Sequence, residues 1–399
     1  MIRKRILAAA VALLLFVACQ PQLVLVEVTR VIEITPAGQP VPATPPPVEV
    51  TRLVVEEVTR VVPEEIIVEV TRPPLGTAER PVQLLFSPVA DTAVIKERGE
   101  ELADALAQAT GLSFAVGIVD DEAALIELMC AAPVDTIGFL SAPGYVLAHE
   151  QCGVQPANVA IHDNGLAWQT GMLVVRWDSG IRSLEDLEGR RWAVADTASL
   201  TRFGAFQAMF AEDGVTIGEV VEVPGDSAAM LALYNREVDF ATAAFVPPIM
   251  PYEERLWQYG EDSPEVWRRL GIAPTRSPIG YVLVMAEPVY GGYRLRDARS
   301  RIFDTTPGIF NETRILTLSG QMPNETVALS ADFPLGQARA IIPALASFAA
   351  SGACTVSLCS TDFFGWAGLL PADDAAYEPL RFVIESLGLS PEGLLALGP

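Results

Sequence analysis

The sequence predicts an α/β fold in which helices flank a mostly parallel sheet. Two observations predict it. Between Pro81 and about Gln151, apolar runs of five to eight residues alternate with longer segments of helical period, and the same rhythm resumes from Gly171 to about Phe245. The chain also has 399 residues, half of them hydrophobic, which is enough for one large core or two smaller ones.

The elements follow in order. Pro81 to Pro88 (PVQLLFSP) reads as an apolar strand ending in a loop at Ser87. Thr92 to Thr110 has Val94, Leu102, Leu106 and Ala109 near one face, the pattern of an amphipathic helix, and Gly111 stops it. Ser113 to Val119 is a second strand, Asp121 to Cys130 a helix, and Pro133 to Leu140 a third strand. SAPGYVLAHEQ then opens another helix. The run LVVRWDSGIRSLEDLEGRRWAVADTASLTRFG, from Leu173 to Gly204, holds a strand, an Asp178-Ser179-Gly180 turn and a short polar helix over Ser183 to Leu187. After a Gly189 turn come a strand over Trp192 to Ala195 and a hydroxyl-bearing loop that leads into a helix over Phe203 to Phe210. Asn235 to Phe245 is a helix end followed by a strand. Beyond Pro247 the rhythm loosens: Tyr281 to Pro288 is a strand, RLRDARSRIFDTTPGIF a helix and turn, and Thr313 to Leu329 two strands about a turn. Leu335 to Leu387 reads as helix and loop.

Acidic residues outnumber basic ones 50 to 27, for a formal charge of −23. That balance argues against a nucleic-acid groove. Catalytic signatures are missing: the sequence has no GxSxG elbow, Walker loop, HExxH or GxGxxG. The two histidines, His149 and His162, are isolated, and no metal or cofactor is expected. An enzyme is not expected, and an exported hydrolase would need a nucleophile–base pair that the sequence does not display.

Residues 1–18 read as a secretory signal. Arg3, Lys4 and Arg5 precede an apolar run from Ile6 to Val17 that is too short to span a bilayer comfortably. Ala18-Cys19 resembles a bacterial lipobox, which implies a lipid on Cys19. An ordinary signal peptide or an uncleaved anchor is the other reading. Residues 19–80 carry Val-Glu-Val-Thr-Arg at 26–30, 48–52 and 68–72, separated by Pro-rich breaks. This is expected to be a semi-extended tether, with an added hairpin or an oligomerising stalk as the alternative. Export implies an oxidising compartment. Cys130, Cys152, Cys354 and Cys359 then allow three pairings, of which the local one, Cys130 with Cys152 and Cys354 with Cys359, is expected.

The segment Val174 to Gly204 resembles the phosphonate/phosphite/phosphate-binding (PhnD-like) family of ABC-transporter solute-binding proteins. Its members carry "DSGI" and "DLkGk" where this chain has Asp178-Ser179-Gly180-Ile181 and Asp186-Leu187-Glu188-Gly189-Arg190. The resemblance implies a two-lobed type II periplasmic-binding-protein fold. Lobe one would be 81–172 plus 322–399 and lobe two 173–321, with the return crossing where SGQMPN stands for the family's "S..IPN". It implies a small-molecule ligand, an oxyanion by family, held between the lobes and delivered to ABC permease and ATPase subunits. An anchored extracytoplasmic protein would result. A sensory or interaction lipoprotein on the same fold, with another small organic ligand, is the alternative.

The resemblance also implies site residues. Ser199 and Thr201 match hydroxyls of the family's Ser-Thr-Ser-Gly cradle; Leu200 replaces its Thr and Arg202 its Gly. Ser227 takes the place of a family histidine, after Asp226, which is expected to cap the next helix. Tyr145 matches a tyrosine of the cleft, and Ser87 sits where such folds place a ligand loop. Trp168 and Thr170 match hinge or cleft positions.

Overall fold

Strand β1 (Val82–Phe86) is almost wholly buried because it has a parallel neighbour on each side, β2 (Phe114–Ile118) and β3 (Thr136–Leu140). The computed structural model describes residues 72–250, 255–287 and 291–397. Parallel strands need helical crossovers, and the predicted helices supply them. Helix α1 (Thr92–Thr110) turns Ile95, Gly99, Leu102, Ala103 and Leu106 to the core and ends at Gly111 with φ 73°. Helix α2 (Glu122–Ala131) is capped by Asp121, whose side chain accepts the Ala124 N–H. Helix α3 (Ala142–Cys152) is capped by Ser141. The disulfide Cys130–Cys152 joins the ends of α2 and α3, and Cys354–Cys359 closes a five-residue step, so the pairing is the local one.

Next comes a strand not read from the sequence, β4 (Gln155–Ile161). Pro156 and Asn158 interrupt its apolar pattern. The chain then leaves this sheet through β5 (Trp168–Gln169) and enters a second one as β6 (Gly171–Arg176), every residue of which is buried. Strands β7 (Arg191–Val194), β8 (Glu219–Glu222) and β9 (Phe240–Ala244) follow. The expected polar helix over 183–187 is a single 3₁₀ turn, Glu185–Leu187. Two helices of this half, α4 (Ala205–Glu212) and α5 (Asp226–Tyr234), follow β7 and β8. A small antiparallel sheet, β10 (Thr275–Arg276), β11 (Val282–Glu287) and β12 (Gly291–Leu295), is added to this half. The helix expected from Arg294 is thus a strand up to Leu295, because Tyr293 and Leu295 alternate into the core. A short 3₁₀ turn follows over Ala298–Arg301.

The chain returns through β13 (Thr313–Leu318) and β14 (Met322–Pro323), which pairs antiparallel with β5. Strands β15 (Thr326–Leu329) and β16 (Gly368–Pro371) complete the first sheet, in the order β16-β4-β15-β3-β1-β2. The second sheet runs β13-β6-β9-β7-β8. Helices α6 (Leu335–Ala349) and α7 (Glu378–Leu387) belong to this returning segment.

Both sheets are mixed rather than mostly parallel. Parallel pairing is confined to β1–β2 and β1–β3 in the first and to β7–β8 and β7–β9 in the second. The reason is the double crossing. A strand that enters a sheet from the crossing ribbon starts where its neighbours finish, so β6 runs against β9 and β13, and β15 against β3 and β4. Ser319 locks the ribbon: its Oγ accepts the Gly171 N–H at 2.8 Å, and its carbonyl accepts the Thr170 and Tyr259 hydroxyls, each at 2.7 Å.

Candidate functional site

The loop after β7 is built around Asp196 and Ser199. Asp196 Oδ1 accepts the Ala198 N–H at 2.9 Å, and Ser199 Oγ accepts the Arg202 N–H at 3.3 Å and its Nε–H at 3.0 Å. The expected helix start at Phe203 lies instead inside a π-helical turn, Leu200–Gly204, and the regular helix begins at Ala205. The turn presses on the crossing strand. A Cβ on Gly171 would come within 3.0 Å of the Thr201 carbonyl, so glycine at 171 is what lets the loop lie there.

Thr201 is buried and lines a cavity of about 80 Å³. Its hydroxyl has no hydrogen-bond partner among the described residues. The facing wall is the start of α3: Ser141, Ala142 and Pro143. Here the Glu122 carboxylate accepts the Ser141 N–H and Oγ–H, and a Cβ on Gly144 would collide with it. A protein carboxylate therefore occupies the positive end of this helix, where unpaired N–H groups attract anions. Burial pushes the Glu122 carboxyl up, against the lowering effect of the Ser141 donors.

The floor is the crossing ribbon: Gln169, Met322, Pro323, Asn324 and Glu325. Asn324 is buried; its Nδ2 donates to the Ala160 and Leu166 carbonyls at 2.9 and 2.8 Å, and its Oδ1 has no partner among the described residues. Glu325 Oε2 lies 2.7 Å from His162 Nε2. Burial would raise the Glu325 carboxyl, but the His162 bond and charge outweigh it and hold it below the usual carboxylate range. Acceptors thus dominate this floor.

Arg202, at the family's glycine position, does not bring a net positive charge. Its guanidinium lies 3.4 Å from Asp226 and 3.7 Å from Asp196. Asp226 is the first residue of α5 and not its cap; Gly225, at φ 102°, takes that place. The Asp226 side chain reaches back to Arg202 and accepts the Ala244 N–H at 3.0 Å. Ser227, next in the helix, is half-buried and does not line the cavity.

Of the other expected residues, Ser199 lies at the loop's start, buried and serving as its cap. Leu200, beside it, sits in an apolar cluster with Ala142, Tyr145, Leu380 and Val383. Tyr145 is fully buried and lies off the cavity. Its hydroxyl donates to Asp374 at 2.6 Å and its ring lies 4.3 Å from that of Tyr377. Burial and the Asp374 bond push its phenol far up. Ser87 is half-buried at the end of β1, also away from the cavity. Trp168 lines a second space of about 440 Å³, with Gln321, Asp373 and Tyr377. Sequence reasoning missed Glu122, Ser141 and Glu325. Ser141 carried a signal, the Ser-Ala-Pro-Gly helix start; the others depend on contacts 19 and 163 residues away in the chain.

No curated protein matches the chain. Among solved structures, the chain is similar to a Xanthomonas citri protein bound to chloride (13% identity, TM-score 0.43, covering 77% of this chain and 97% of that one). It is similar also to a binding-protein component of an ABC phosphonate transporter from Pseudomonas aeruginosa (15%, 0.37, 79% and 87%). A third is PhnD1 from Prochlorococcus marinus in complex with methylphosphonate (10%, 0.36, 77% and 98%). The family described as "ABC transporter, phosphonate, periplasmic substrate-binding protein" matches residues 84–377, the span that holds both sheets, the ribbon and the cradle loop. The chain therefore belongs to the phosphonate-binding periplasmic substrate-binding proteins of ABC transporters, which carry solutes and are not enzymes.

Proposed function

We propose that the chain captures a small solute between two lobes, 81–172 with 322–399 and 173–321, and hands it to an ABC permease. One observation carries this reading. A single cavity takes one wall from Ser141, Ala142 and Pro143, the other from Leu200 and Thr201, and its floor from the crossing ribbon. A solute held there touches both halves, so its binding favours the closed arrangement by the difference in contacts. Lipidated Cys19 and a tether over residues 19–80 would hold the carrier at the outer face of the membrane. Arg3 to Arg5, the apolar run to Val17 and Ala18-Cys19 support this, and all of them lie outside the described residues.

The solute class is phosphonate, phosphite or phosphate, bound while it still carries a proton. Thr201 offers a hydroxyl to its oxygens, with Ser199 in the loop behind, while the Ser141 proton is held by Glu122. Asn324 Oδ1 lacks a donor among the described residues, and Glu325, already paired with His162, adds negative charge beside it; a P–OH group supplies that donor and a full dianion does not. The second reading, a neutral or cationic organic solute, is favoured by the same acceptors.

Thermal denaturation of the full-length chain tests both. Methylphosphonate, phosphite, phosphate and choline are compared at about pH 5.5 and about pH 8, on either side of a second phosphate pKa of about 6. A bound solute raises Tm by mass action. The proposal expects an oxyanion to raise Tm more at the lower pH, and Thr201→Val to abolish the rise. A rise with choline alone moves the assignment to the second reading. An oxyanion that binds better at the higher pH defeats the protonated form.

A further inference from the structure

A third space, of about 770 Å³, lies on the added antiparallel sheet and shares no lining residue with the cradle cavity. Its chemistry is the reverse of the chain's. In a protein with formal charge −23, Arg276, Arg294, Arg296 and Arg301 all line this one space.

The sheet's alternation places them there. Val282, Val284, Tyr293 and Leu295 turn into the hydrophobic core. Arg294 pairs across the ladder with Leu283, and Arg296 follows two residues on, so both fall on the opposite face. The guanidinium of Arg294 lies 3.4 Å from the centre of the Tyr281 ring and makes no hydrogen bond among the described residues. That stacking engages its flat face and leaves its N–H edge for a planar acceptor. Arg296 is anchored by two backbone carbonyls, Pro247 at 2.9 Å and Asn164 at 3.1 Å, and so ties the loop after β4 to the second half.

Charge compensation is incomplete. Arg276 is paired with Asp304 at 2.7 Å, and Asp163 also lines the space. Arg294, Arg296 and Arg301 have no carboxylate within ion-pair distance among the described residues. Burial, together with the nearby charge of Arg294, lowers the affinity of Arg296 for its proton. Arg294 and Arg296 are half-buried while Arg301 is exposed, and guanidinia gathered in one space without carboxylates repel one another unless an anion joins them. The space is far larger than one phosphate group requires, and its cations are spread over a strand, its extension and the 3₁₀ turn Ala298–Arg301.

We infer that this pocket is an anion site for a small polyanion bearing phosphate or carboxylate groups, gripped by Arg294, Arg296 and Arg301. It stands apart from the cradle reading, since either can hold without the other.

Calorimetric titration of the full-length chain with pyrophosphate, and separately with citrate, tests it at fixed ionic strength. Saturable binding of at least one probe is expected, and which one binds tells phosphate from carboxylate. Arg294→Ala should weaken it about tenfold or more, and Arg294→Lys should also weaken it, because the charge stays but the two-pronged contact goes. The Arg294 side chain makes no hydrogen bond among the described residues, so these variants should stay folded, with Arg294→Ala losing only the Tyr281 stacking. Thr201→Val, which should abolish methylphosphonate binding, should leave the polyanion's affinity unchanged. The inference is overturned if neither probe binds at millimolar concentration, if binding ignores Arg294 and Arg296, or if Thr201→Val removes it.

Discussion

The Glu122 carboxylate accepts the backbone N–H of Ser141 at 2.5 Å and the Ser141 hydroxyl at 2.8 Å, so a side chain of α2 sits at the N-terminus of α3. A helix start is where an anionic ligand finds donors. Here the protein's own carboxylate fills that place beside the cavity.

This arrangement makes stability depend on pH in a definite sense. Burial raises the Glu122 carboxyl above its ordinary value. The folded chain therefore holds this proton more tightly than the unfolded chain does. Stability gained at low pH is lost as pH climbs from about 4.3 through the raised value. Glu122→Gln has no such titration. In urea denaturation, the wild type should lose stability relative to the Gln variant as pH rises across that window. Parallel curves would mean that Glu122 is ionised as easily folded as unfolded.

Gly171→Ala should cost about 1–3 kcal/mol, because the new Cβ meets the Thr201 carbonyl, which is backbone and cannot swing aside. The same displacement pushes the cradle loop off the crossing strand, so solute affinity should fall with it. Equilibrium unfolding gives the first quantity and calorimetry the second. A variant with wild-type stability would show that the loop does not rest on the strand.

Tyr145 separates the family expectation from the geometry. Tyr145→Phe removes the hydroxyl that donates to Asp374 and should cost about 1–2 kcal/mol, while Tyr145→Ala opens a core cavity and should cost roughly 3–5 kcal/mol. Because the side chain is fully buried off the cavity, Tyr145→Phe should bind solute as the wild type does. A folded Tyr145→Phe protein with lost affinity would place the hydroxyl at the ligand after all.

Much of the fold was legible in the sequence because its signals are local. The helices that begin near Asp121 and Ser141, Gly111 as a left-handed stop and the apolar strands β1, β3 and β6 each depend on a few neighbouring residues. Strand direction was not legible. Whether β15 runs with or against β3 depends on where the chain re-enters, nearly two hundred residues after β3. The site was half legible for the same reason. Ser199 and Thr201 stand in a recognisable loop, but the charge around them is set by Asp226, Glu122 and Glu325, whose partners Arg202, Ser141 and His162 are remote in sequence. Arg202 read alone promises a cation; read with Asp196 and Asp226 it does not.

His162 and Glu325 extend the argument to the cavity floor. The hydrogen bond to Glu325 raises His162, although burial opposes it, and the same contact holds Glu325 down against burial. A raised histidine contributes stability that is complete below about 6.5 and is lost as pH rises through its folded value. A lowered carboxylate contributes stability that is present above about 4.3 and is lost as pH falls through its folded value. The pair should therefore stabilise most between those limits. His162→Gln should be least stable relative to wild type near pH 5 to 6, and the difference should shrink toward pH 9. Removing the cation also leaves Glu325 uncompensated at the cavity wall, so oxyanion affinity should fall at the pH where the stability gap is widest. A gap that stays constant from pH 4 to 9 would mean that the contact is a neutral hydrogen bond, and the affinity loss should then vanish with it.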